Sequence, residues 1–112
     1  MSADQELLAE IEAQLNDDIL YFAWLFQIVR LQNPGYTEAQ CIESVLDAVI
    51  HLHQNEIIVV GNAREIDEMV LIQPWPELND ELRARMESAI ADSNDRDRDF
   101  CFWIQLTKHF AT

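Results

Sequence analysis

Residues 37–73 read TEAQCIESVLDAVIHLHQNEIIVVGNAREIDEMVLIQ, and within this stretch the hydrophobic period changes once. Thr37-Glu38-Ala39-Gln40 is a capping box, a Thr followed three residues later by Gln. It opens a helix to about Gln54, with Ile42, Val45, Leu46, Val49 and Leu52 on the buried side and Glu38, Glu43 and Asp47 outward. Asn55 is the expected terminator. Glu56-Ile57-Ile58-Val59-Val60 is β-branched and ends at Gly61-Asn62, so it reads as a strand followed by a turn signal. Residues 61–68 read as a polar, acidic loop. Met69-Val70-Leu71-Ile72-Gln73 is the returning strand, stopped by Pro74-Trp75-Pro76. Two strands alone are marginal in water, so the hairpin must pack on helices.

Those helices lie on both sides. Upstream, Leu7, Leu8, Ile11 and Leu15 form one helical stripe, with Glu6, Glu10 and Glu12 elsewhere on the surface. Asn16-Asp17-Asp18 breaks the helix, and either acid can cap the next one. Residues 19–31 are apolar nearly all round, with Tyr21, Phe22, Trp24, Leu25, Phe26 and Ile28 spread about the cylinder. Such a helix is either the centre of the core alone or core plus an association patch. Asn33-Pro34-Gly35 stops it. Downstream of Pro76 a fourth helix runs to about Ala91 through Leu78, Leu82, Met86, Ala89 and Ile90. Residues 92–99 read as a charged loop. In residues 100–110, Phe100, Trp103, Thr107 and Phe110 fit a helix, and Phe100, Phe102 and Ile104 fit a strand; the helix is the reading adopted. The expected fold is therefore α+β and mostly helical, four or five helices with one β-hairpin, in a single domain spanning residues 1–112.

The charge narrows the function. The 112 residues carry 21 Asp and Glu against 7 Lys and Arg, a net charge of −14. Phosphate affinity rests on cationic side chains, so neither nucleic acid nor an anionic membrane is an expected partner. The opening residues lack a basic region followed by an apolar run. The apolar residues 19–31 fall short of the roughly 20 that span a bilayer. A cytoplasmic protein is expected.

No pattern points to catalysis, a metal or a cofactor. Cys41 and Cys101 sit in apolar contexts and read as free thiols packed as small hydrophobes. Asp95-Arg96-Asp97-Arg98-Asp99 begins like a calcium loop, but Phe100 stands where that loop needs glycine and Leu106 where it needs a bidentate Glu. His51 and His53, two apart on a helix, point about 200° from each other and cannot share an ion. Ser44 is mid-helix, and two glycines cannot build a glycine-rich phosphate loop. The chain is not expected to be an enzyme.

The order of two helices, a capped helix, a strand, a polar loop and a returning strand resembles a winged-helix domain. That resemblance implies a recognition helix over residues 38–54 with basic or amide side chains outward. This helix instead presents Glu38, Glu43 and Asp47, and the wing carries Glu65, Asp67 and Glu68 against Arg64. Such a surface repels DNA. What it suits is a basic protein, because dense carboxylates steer association with Lys and Arg clusters. In that character the chain resembles the immunity and antitoxin proteins that neutralise a basic toxin. The expected contact residues are Glu38, Glu43 and Asp47, then Glu65, Asp67 and Glu68, with Trp75 as an exposed aromatic anchor in the proline corner. Two alternatives stay open: a homodimeric structural or regulatory subunit associating through residues 21–28 and the C-terminal aromatics, and a DNA mimic.

Overall fold

In a computed structural model, which describes residues 4–92 and 95–110, Asp4 opens the first helix by accepting the Glu6 N–H at 2.9 Å. That helix, α1 (Gln5–Leu15), buries the expected Leu7, Leu8, Ile11 and Leu15. The following elements are β1 (Leu20–Tyr21), α2 (Phe22–Gln32) and α3 (Glu38–Gln54), then the hairpin β2 (Ile58–Ile66) and β3 (Met69–Pro74). α4 (Asn79–Asp92), the short α5 (Asp95–Arg98), β4 (Trp103–Leu106) and the short α6 (Thr107–Phe110) complete the chain. The fold is α+β and mostly helical.

The capping box of α3 forms in both directions: Gln40 N–H donates to Thr37 Oγ1 at 3.2 Å, and Thr37 N–H donates to Gln40 Oε1 at 2.9 Å. At the other end Asn55 is the C-cap, but the reversal is carried by Glu56, whose φ is 61°. Glu56 N–H reaches the His53 carbonyl and Ile57 N–H the Leu52 carbonyl, both at 3.0 Å, a Schellman motif with glutamate where glycine is usual. A side chain in the left-handed region costs about 1 kcal/mol or more relative to glycine. Glu56→Gly is therefore expected to raise stability by about 1 kcal/mol in a urea titration, and an unchanged midpoint would argue against this reversal.

Several expectations are corrected. Residues 100–110 are not one helix: Phe102, just before β4, and Ile104 and Leu106 within it point inward, all buried, while Trp103 and Gln105 face the other way. Helical spacing was present there, but hydrogen bonding on both edges of β4 outweighs local periodicity. Residues 19–31 are not one helix either, because Leu20 and Tyr21 pair with Ile104 and Trp103 before α2 begins. Only Phe22, Leu25, Ile28 and Val29 of α2 are buried, so it is not buried on all sides. Residues 61–68 are not a loop, since β2 continues to Ile66 and only Asp67 and Glu68 turn, at φ 52° and 68°. The hidden strand reads as a loop because Asn62, Arg64, Glu65 and Ile66 are exposed, so no apolar alternation marks it. Of residues 92–99, expected as a charged loop, Asp92 ends α4 and Asp95–Arg98 form the helical turn α5, while 93 and 94 lie outside the described residues. The fourth helix starts only at Asn79, leaving Leu78 exposed.

The hairpin is consequently part of a four-stranded antiparallel sheet of order β1-β4-β2-β3. The helix-then-hairpin order stands, but β4 lies between the first strand and the hairpin. Ile58, Val60, Phe102, Ile104 and Leu106 join the inward side chains of α1 to α4 in one core. Phe102 is its aromatic hub, with ring centroids 5.5 Å from Phe22 and 6.4 Å from Trp75.

Candidate partner-binding face

The α3 carboxylates expected to meet a partner are engaged within the chain. Arg83 of α4 reaches Glu43, Asp47 at 2.8 Å and its own helical neighbour Glu87 at 3.5 Å. Arg98 of α5 meets Glu38 at 2.7 Å. The outward face of α3 is thus where α4 and α5 are tied down, and its acids are partly neutralised there. Trp75 is not an exposed anchor. It is 7% exposed, packed on Phe102, with the Arg85 guanidinium 4.4 Å above its ring. Arg85 also donates to both carboxylate oxygens of Glu77 at 2.8 Å, and this hydrogen bond holds the Glu77 carboxyl below the usual carboxylate range. The rigid corner turns its indole inward because Trp75 N–H continues the ladder to the Val60 carbonyl at 2.8 Å. Glu65, Asp67 and Glu68 are exposed at the hairpin tip. The strand rise carries that tip about 25 Å beyond Ile58, away from the end of α3.

A different surface collects the features that recognition needs. Because β4 alternates, Trp103 and Gln105 emerge on the face of the sheet opposite the core, where Tyr21 stands in register with Trp103. Tyr21 and Trp103 rings are 5.0 Å apart, Phe100 lies 4.8 Å from Tyr21, and Phe100 stacks on Trp103 at 5.8 Å. Trp24, one helical turn into α2, adds a fourth ring 6.4 Å from Tyr21, and its indole N–H donates to the Gln14 side chain. Trp24 is 45% exposed and Phe100 53%. Four aromatics held by two strands and two helix ends therefore share one wet face.

Carboxylates border it. The α1–β1 connection places Asp17, Asp18 and Ile19 along two grooves that meet at Tyr21. The larger groove, about 610 Å³, runs past Trp103 and Gln105 to Val70 and His109. The smaller, about 350 Å³, runs past Gln14 to Trp24. Among the described residues no Arg or Lys pairs with Asp17 or Asp18; Asp18 accepts only the Ile19 N–H, at 2.8 Å. Ring faces carry negative quadrupoles and attract cations, most strongly when the cation is partly desolvated. Aromatic rings beside free carboxylates form a receptor for guanidinium or ammonium groups.

Tyr21 and Trp24 were legible as surplus aromatics on an overfilled helix. Phe100 and Trp103 share a side in the helical reading as well, but that reading supplies no pairing to set Trp103 beside Tyr21. The alternation from Phe102 to Leu106 was the signal that could have joined the two groups. Asp17 and Asp18 were legible only as capping residues.

The remaining reactive side chains are poorly placed for chemistry. Burial pushes the Cys101 thiol up to about 11, so it stays protonated and weakly nucleophilic at neutral pH. Cys41 is buried, and burial lowers the pKa of His53. Among the described residues no three His, Cys, Asp or Glu side chains are grouped to hold a metal ion, and no helix is long and apolar enough to cross a membrane. The chain matches no family model, no curated protein and no solved structure.

Proposed function

We propose that this is a small acidic protein-binding domain of the cytoplasm that captures and neutralises a basic protein partner, in the manner of an immunity protein or antitoxin. The observation that carries the proposal is the cluster of exposed Trp24 and Phe100 with half-buried Tyr21 and Trp103, beside the unpaired Asp17 and Asp18. Aromatic residues dominate the energetic centres of protein interfaces, and a net charge of −14 steers a cationic partner toward them. The acids of α3 and the hairpin tip then add to the long-range field, while the close contacts belong to the aromatic face. The two free thiols suit a reducing compartment.

An arginine-rich peptide labelled for fluorescence anisotropy tests this. Binding is expected to weaken about tenfold or more in Trp24→Ala and in the Asp17→Lys/Asp18→Lys double variant, and to fall steeply with added salt. Glu43→Gln should change it little. Equal affinity in all four proteins would reject the face. The competing homodimer reading is favoured by the same exposed Trp24. It replaces the present one if sedimentation shows a dimer that Trp24→Ala dissociates. A DNA mimic would instead be revealed by competition for the groove of a DNA-binding protein.

A further inference from the structure

β3 is an edge strand, and among the described residues no strand pairs with its outer side. Opposed residues in an antiparallel ladder alternate between exchanging both N–H···O bonds and exchanging none. Trp75 N–H bonds the Val60 carbonyl, so in the observed register the bonded pairs are Asn62 with Gln73, Arg64 with Leu71, and Ile66 with Met69. Val70 and Ile72 therefore turn their N–H and C=O groups away from β2; Val70 is 46% exposed and Ile72 buried, so the accessible edge runs from Met69 to Leu71 and centres on Val70.

Natural edges are usually blunted by a lysine, an internal proline or a bulge. Along Met69, Val70, Leu71 and Ile72 none is present, and Met69 is 63% exposed. In a chain carrying 21 acids, four consecutive edge residues are uncharged, and the acids flank them at Glu65, Asp67 and Glu68. A second copy on this edge would bring the same acidic turn and another charge of −14 alongside the first. A cationic strand gains from the same field.

We infer that the β3 edge accepts an extended, basic segment of the partner as a fifth strand. The inference rests on the proposed capture of a basic protein. The register also specifies the segment. Cross-strand partners share a face, so Glu65, Val70, Ala63 and Ile72 lie on one side of the hairpin, and Val70 lines the groove with Tyr21 and Trp103. Cationic side chains suit that side. Arg64, Leu71, Ile66 and Met69 share the other side, where a cation would meet Arg64 and an apolar residue would cover Leu71 and Met69. The matching segment alternates Lys or Arg with aliphatic residues.

The probe is a blocked ten-residue peptide alternating Lys and Val, compared with the same peptide N-methylated at every second residue. Methylation keeps charge and sequence but blocks pairing along one edge. The parent peptide is expected to bind, and the methylated one to bind at least tenfold more weakly. Val70→Pro removes an outward N–H while sparing the internal ladder, as proline on an edge can. It is expected to cause a similar loss with an unchanged circular dichroism spectrum. Equal binding of the two peptides to the unaltered protein overturns strand addition yet leaves capture of a basic partner standing. It does so even if Val70→Pro fails to fold. If the alternating peptide fails to bind while the arginine-rich peptide binds, the edge is again overturned. If neither binds, capture of a basic partner falls with it. A dimer abolished by Val70→Pro would assign the edge to a second copy and also overturn the inference.

Discussion

Gly61→Ala is expected to destabilise the protein by about 3 kcal/mol, at the upper end of the usual cost of overpacking. Gly61 is paired with Trp103 on one side and Pro74 on the other, at the point where β2 passes from the main sheet into the hairpin arm. A β-carbon there would lie 1.9 Å from the Gln73 carbonyl oxygen, 2.6 Å from its carbon and 2.9 Å from Pro74 Cα. All three are backbone atoms, so no side-chain rotation relieves the clash and the strands must separate. Gly35→Ala is the matched control. A β-carbon at Gly35 meets nothing within 4 Å, and its effect is expected within about 0.5 kcal/mol of zero. Urea unfolding of the two variants side by side measures the difference. Equal midpoints would mean that β2 and β3 do not approach this closely. Because Gly61 positions the whole arm, its alanine variant should also lose affinity for an alternating basic peptide.

The second large effect lies in β4 and at Phe102, the residue that leads into it. Phe102→Ala is expected to cost about 4 kcal/mol, as befits a fully buried ring replaced by a methyl group. Ile104→Ala should cost about 3 kcal/mol by the same mechanism. Trp103→Ala, between them, should cost only about 1 kcal/mol, because it loses a partly exposed ring and its contacts with Tyr21 and Phe100. Its main consequence should be weakened binding of the basic peptide. A strand puts residues 102 and 104 on one face, whereas a helix would turn them about 200° apart. Thermal or urea denaturation of the three variants therefore tests the topology. A tolerant Ile104→Ala together with a severe Trp103→Ala would contradict β4 as a strand.

The local sequence determined the features whose causes are local. Thr37 and Gln40 lie within one helical turn, so the α3 capping box needed nothing from the rest of the chain. The stripe Leu7, Leu8, Ile11, Leu15 and the β-branched Ile58, Val59 and Val60 likewise announced a helix and a strand through their own periodicity. The net charge, too, is independent of conformation, and the proposed preference for basic over phosphate-bearing partners rests on it. Long-range pairing decided the rest. Residues 100–110 held both periods, and only the open positions beside Leu20–Tyr21 and Ile58–Gly61 selected the strand. Glu43 and Asp47 looked free until α4 brought Arg83 between them, 36 to 40 residues later in the chain. Trp75 looked exposed until the ladder to Val60 turned it onto Phe102. The aromatic face required both kinds of information: its rings are visible in the sequence, but Tyr21 and Trp103, 82 positions apart in the chain, meet only because β1 pairs with β4. Side-chain identity and spacing are written locally. Which side of an element faces water depends on the partner that covers the other side, and that partner is chosen by the tertiary fold.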